Sequence, residues 1–214
     1  MDIAELHDVM ADLARSRPVF HSEADFLHAL AWQIHLRDPG SVVRLEQRIQ
    51  PSLYVDLVLN HGGTRTAFEL TYLTRAVTTT NAGEAFNLRH DGAQEQGRYD
   101  VVGDLARIEH LVNGHHAAVG FVVVLTNDPS YWETPASAAP SIDDAFRIHE
   151  GNRLSGTRAW AANAALVAIH NRELAHHLHA EYAAGWRDYA DVGDGDPRGH
   201  FRYLAIEVLP KPRA

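Results

Sequence analysis

Tyr54 to Thr74 reads YVDLVLNHGGTRTAFELTYLT, and the fold turns on how this stretch pairs with itself. Tyr54–Leu59 is strongly strand-like, Asn60-His61-Gly62-Gly63 is a turn signal, and Thr66–Thr74 returns as a second strand, so a β-hairpin is expected. With the turn centred between Gly62 and Gly63, Asp56 falls directly opposite Glu69, on the same face, with Cβ atoms ~5 Å apart. Like charges opposed in a sheet repel, and the flanking Val55, Leu57, Phe68 and Leu70 imply burial. Two carboxylates so placed need a cation between them or a shared proton. An oxygen-only donor set suits Mg²⁺, Mn²⁺ or Ca²⁺ better than zinc. The alternative is a register shifted by one or two, which would turn one carboxylate to solvent.

Working outward, Ile3, Leu6, Met10 and Leu13 predict an amphipathic helix over 3–15, broken by Pro18. Ser22 reads as the N-cap of a second helix, with Asp25 in a capping-box-like position; it carries Phe26, Leu27, Leu30, Ala31 and Ile34 and ends before Asp38-Pro39-Gly40. Val42 to Ile49 suggests a strand, interrupted by Pro51. Residues 76–92 read as loop with short helical pieces. Val101, Leu105, Ile108 and Val112 mark a helix over 93–112, and AAVGFVVVL at 117–125 a strand covered on both faces. An irregular stretch follows to about Ser141. Residues 159–170 are open between helix and strand, 178–189 alternate as one strand, and 201–209 is a last strand beyond the loop 193–199. The sequence of elements describes an α/β sandwich on a mixed sheet.

At 214 residues the chain is one domain's worth, 1–214, and long enough to hold a core without disulfides or a structural metal. Its 45% apolar and 22% charged residues argue against disorder as the main state. The lack of cysteine excludes disulfide scaffolds, zinc ribbons and cysteine nucleophiles. No apolar run approaches the ~20 residues of a membrane helix, and the acidic N-terminal stretch is unlike a signal peptide, so a cytoplasmic protein with no membrane partner is expected. The net charge of −9 argues against a protein that coats nucleic acid, though not against a local phosphate-binding patch. Lys211 is the only lysine, and the 15 histidines cluster at His115-His116 and His176-His177-x-His179. Compositional drift and solvated surface positions are the plain reading of both biases. His115-His116 reads as a turn and the second cluster as a solvated edge, with metal the alternative. Trp132, Trp160 and Trp186 read as packing residues. No phosphate loop, nucleophile elbow or dinucleotide fingerprint occurs.

The order of these features resembles the PD-(D/E)xK, or restriction-endonuclease-like, superfamily. Pro51-(x)4-Asp56 followed by Glu69-Leu70-Thr71 resembles its hairpin motif, and Glu23 matches its early helical acid. Glu69-Leu70-Thr71-Tyr72, Gly97-Arg98-Tyr99-Asp100 and Leu125-Thr126-Asn127-Asp128 are similar to the segments ELKY, GRYD and LTND of a bacterial branch. The match covers about residues 22–126. It implies an αβββαβ core with a mixed central sheet flanked by helices, extended by extra strands over about 127–214. It also implies a metal-dependent phosphodiesterase in which Glu23, Asp56 and Glu69 hold Mg²⁺ or Mn²⁺, with nucleic acid as partner, DNA ahead of RNA.

Thr71 stands where the superfamily has its catalytic lysine; it can hydrogen-bond a water but brings no charge. Arg75 shares strand parity with Glu69 and Thr71. Gln94 and Arg98 prolong the apolar stripe of the 93–112 helix and so are further catalytic candidates facing the acidic pair, with a structural salt bridge as the alternative for Arg98. For Glu23 the alternative is a favourable interaction with the helix dipole alone. The competing function is a degenerate nuclease-fold module that binds nucleic acid or regulates a partner, favoured by Thr71 and the net charge. An interaction subunit of a larger defence or toxin-type system is compatible with either. The alternating residues after Asp128 also suit the edge of a homodimer.

Overall fold

The computed structural model describes residues 1–51, 53–137 and 139–211. Helix α1 (Ile3–Ser16) starts from a capping box in which the Asp2 carboxylate accepts the Glu5 N–H and the Glu5 carboxylate accepts the Asp2 N–H. Helix α2 (Glu23–Arg37) starts at Ser22, whose hydroxyl accepts the Asp25 N–H. The Asp25 carboxylate turns back one residue further, to the His21 N–H and the Arg17 guanidinium. Then come β1 (Val42–Gln50), β2 (Leu53–His61), β3 (Thr64–Leu73), β4 (Val77–Asn81), β5 (Glu84–Leu88), α3 (Gln94–Asn113) and β6 (Val119–Thr126). The chain finishes with β7 (Arg153–Arg158), a one-turn helix α4 (Leu166–Ile169), β8 (His176–Ala183), β9 (Trp186–Asp191) and β10 (His200–Val208).

Six strands form one mixed sheet in the order β1-β2-β3-β6-β10-β9, in which only β3–β6 is parallel. The α3 crossover between β3 and β6 is what permits that parallel pair. Strand alternation then sorts the side chains. Leu57, Leu59, Phe68, Leu70, Phe121 and Val123 meet α1 and α2 on one face, while Val58, Ala67, Val122 and Val124 meet α3 on the other. Asp56, Glu69 and Thr71 share the parity of the second set and so face α3. The α3 face is completed by the small β7–β8 sheet. Among the described residues, no helix is long and apolar enough to cross a membrane.

Three segments differ from the sequence reading. Residues 76–92 are a second hairpin, β4–β5, rather than loop with helical pieces; Ala82 and Gly83 supply its left-handed turn, and only Val77, Phe86 and Leu88 are buried. The alternation over 178–189 is two strands in different sheets, separated at Ala184-Gly185. Residues 159–170 are irregular apart from α4. The C-terminal stretch is also more than an appendage, because β10 pairs along seven residues of β6 inside the central sheet.

Candidate active site

The β2–β3 hairpin turns at Gly62 and Gly63, both left-handed, as its type I′-like geometry requires. Its ladder runs from His61↔Thr64 to Leu57↔Phe68, the register that sets Asp56 opposite Glu69. There the backbone pairing stops. Asp56 Oδ2 accepts the Leu70 N–H at 2.8 Å, so a side chain replaces the strand partner. The Asp56 and Glu69 carboxyls are joined by a hydrogen bond. Glu69 is only 4% exposed, and burial together with Asp104 and Asp56 pushes its carboxyl up to about 9, against the pull of Arg107. Where no cation is bound, burial and the neighbouring carboxyls favour the protonated form of Glu69.

Helix α3 brings the opposite wall. Arg107 Nε lies 3.1 Å from Glu69 Oε1, and the same guanidinium pairs with Asp104 one turn earlier on the helix. The Nε–H is not aimed at Glu69 Oε1, which is buried without a hydrogen bond. Asp104, raised to about 7 chiefly by burial, accepts a long hydrogen bond of 3.4 Å from the Thr71 hydroxyl. Three carboxyl groups thus face one guanidinium. Both α3 residues escaped the sequence reading. Asp104 had a signal: at three residues after Val101 and four before Ile108 it lies on the core-facing stripe, where a charged side chain needs a partner.

The other candidates have different places. Glu23 stands at the start of α2 and accepts the Tyr72 N–H at 3.0 Å; burial, Asp56 and Asp91 raise its pKa. It belongs to the edge of the acidic region, and its hydrogen bond is a structural one. Among the described residues, no three His, Asp or Glu side chains are gathered as a metal site requires. Arg98 is held elsewhere. Its guanidinium lies 3.3 Å from Asp143 and over the Tyr131 ring, a structural salt bridge rather than a contact to the acidic pair. Gln94 donates to Asp128 at 3.1 Å and is likewise not in the pair's contacts. Asn127 accepts the Arg75 N–H and donates to the Arg75 and Arg198 carbonyls, so the LTND-like segment ties the end of β3 to the C-terminal loop.

The pair fits a hard divalent cation. Asp56 and Glu69 are in contact, Glu69 Oε1 is buried and unbonded, and Mg²⁺ takes one or two carboxylates and fills its remaining positions with water and phosphate. Compared with known proteins, the chain matches no family model and no curated protein significantly.

Proposed function

We propose that this chain is a Mg²⁺- or Mn²⁺-dependent phosphodiesterase of restriction-endonuclease-like fold, cleaving nucleic acid, DNA ahead of RNA. The observation that carries this reading is the contact of half-buried Asp56 with buried Glu69 at the point where the β2–β3 ladder gives out. The order α2, β1–β2–β3 and then, after the inserted β4–β5 hairpin, α3 and β6 supports the fold assignment. A divalent ion on Asp56 and Glu69 supplies an acidified water and neutralises phosphate charge. Arg107 supplies the fixed positive charge that Thr71 lacks; always protonated, it stabilises phosphate oxygens but accepts no proton. Asp104, lifted to about 7, is the group on this wall suited to take one.

The test is Mn²⁺ titration by calorimetry alongside cleavage of DNA and RNA oligonucleotides with and without chelator. Asp56→Ala and Glu69→Gln are expected to lose both metal uptake and cleavage; an Asp56→Ala protein that cleaves like the parent sinks the assignment. One observation favours the second reading, a degenerate module: Arg107 already partly neutralises Glu69 and Asp104. On that reading millimolar Mn²⁺ gives no heat and no cleavage.

A further inference from the structure

Two histidine clusters far apart in sequence meet in one place. His110 and His115 from the end of α3 join His177 and His179 of β8 around a cleft of about 480 Å³. An adjoining cleft of about 730 Å³ shares His115, Pro210 and Lys211 with it and adds His116 and Arg65. Among the described residues lining the two, seven of fifteen are His, Arg or Lys and none is Asp or Glu. In a chain of net charge −9 with His counted neutral, this acid-free lining keeps two fixed positive charges, Arg65 and Lys211, and adds five of the 15 histidines as N–H donors.

The backbone there removes the obvious objection, that a helix C-terminus repels anions. The carbonyls of His110, Leu111 and Val112 are consumed by the N–H groups of Gly114, His116 and His115. His115 holds that turn with φ 60°, a conformation glycine would adopt without strain, yet the position carries an imidazole. His177 and His179 stand with ring centres 4.7 Å apart on one face of β8, while His176 turns inward against Tyr99. An imidazole donates at least one N–H to a phosphate oxygen whichever tautomer it holds. Ala106 on the cleft wall is the chain neighbour of Arg107, and His110 lies ~4.5 Å further along the same helix than Arg107.

We propose that this cleft is the docking track for the phosphate backbone of the nucleic acid, delivering the strand to Glu69 and Arg107. The identity of the polyanion rests on the phosphodiesterase reading, whereas the cleft itself does not. Fluorescence anisotropy with a short labelled DNA, duplex and single-stranded, in chelator, separates binding from cleavage. The His177→Ala/His179→Ala double variant and Lys211→Ala are each expected to weaken binding about tenfold at low salt. Lys211→Ala should also flatten the log–log salt slope by about one, whereas the histidine variant, which removes N–H donors, should leave the slope nearly unchanged. Arg153→Ala, which removes an exposed charge on the same small sheet, serves as control and leaves affinity unchanged. Unchanged affinity in both cleft variants overturns the proposal, while the metal reading is judged separately by Mn²⁺ uptake at Asp56. Displacement of the DNA by polyglutamate at equal charge concentration also overturns it, in favour of an acidic protein partner.

Discussion

Glu69 is buried, faces Asp56, and has its one charged partner, Arg107, held at an angle that leaves Oε1 unbonded. Its carboxyl therefore binds a proton far more readily in the folded than in the unfolded chain, about 9 against 4.5. Between those values the folded state carries the extra proton, so stability is fully present below about pH 4.5 and is lost as pH rises towards 9. The slope can reach about 1.4 kcal/mol per pH unit. In chelator, the melting temperature is expected to fall from mildly acid to alkaline pH, and Glu69→Gln to flatten that profile; a flat parent profile would contradict the raised Glu69 carboxyl. Arg107 is the second test at this scale. If its guanidinium stands in for the motif lysine, Arg107→Ala lowers cleavage about 10²–10³-fold with metal uptake retained, the loss typical of one preorganised charge donor. Thr71→Lys in that background should recover part of the rate, because position 71 already reaches Asp104. Full activity in Arg107→Ala would remove it from the mechanism. The sequence reading reached Asp56 and Glu69 because period-two alternation and a two-glycine turn fix a register. It missed Arg107 because partnership across α3 and β3 is set by helix rotation, which no local spacing encodes.

Elements differ in legibility for a physical reason, namely how much of their surface they bury. The β2–β3 hairpin is covered on both faces and alternates plainly, whereas β4–β5 hides behind the threonines 78–80 and reads as loop. The 178–189 alternation is real, but Ala184-Gly185 lets the chain leave the β7–β8 sheet for the edge of the central one. What fixes β8 against α3 is a buried side chain with no sequence signature. Glu109, 2% exposed, accepts the N–H groups of His179 and Ala180 and the hydroxyl of Tyr182. Those backbone donors fall at the register shift between β7 and β8, where no strand partner takes them. Glu109→Ala is expected to cost about 2–4 kcal/mol, since several donors lose their acceptor together. The check is chemical denaturation with the slope unchanged. A loss under about 0.5 kcal/mol, the level of an ordinary surface substitution, would mean water replaces the carboxylate.

At the scale of the whole molecule, the segment from α1 to β6 and the residues after 127 are one packing unit. β6 is buried almost throughout, with β3 on one side and β10 on the other. Without β10, seven residues of β6 would lose their strand partner, and Leu204, Ile206 and Val208 would leave the core beneath α3. Trp186 lies in that core and Trp132 and Trp160 pack against it, while Trp32 on α2 is 61% exposed. Tryptophan fluorescence therefore reports chiefly on the α3 face, whereas far-ultraviolet circular dichroism includes α1 and α2 on the opposite one. Each core needs the sheet as its floor, so neither should melt alone. Urea unfolding followed by the two signals is expected to give coincident midpoints. A chain ending at Asn127 is expected to lack a cooperative transition, because its unpaired β6 edge and stripped core favour aggregation over folding. A fluorescence midpoint clearly below the circular dichroism midpoint, or a truncated chain that unfolds cooperatively, would show instead that the segment from α1 to β6 folds by itself and that the C-terminal strands are added to a finished domain.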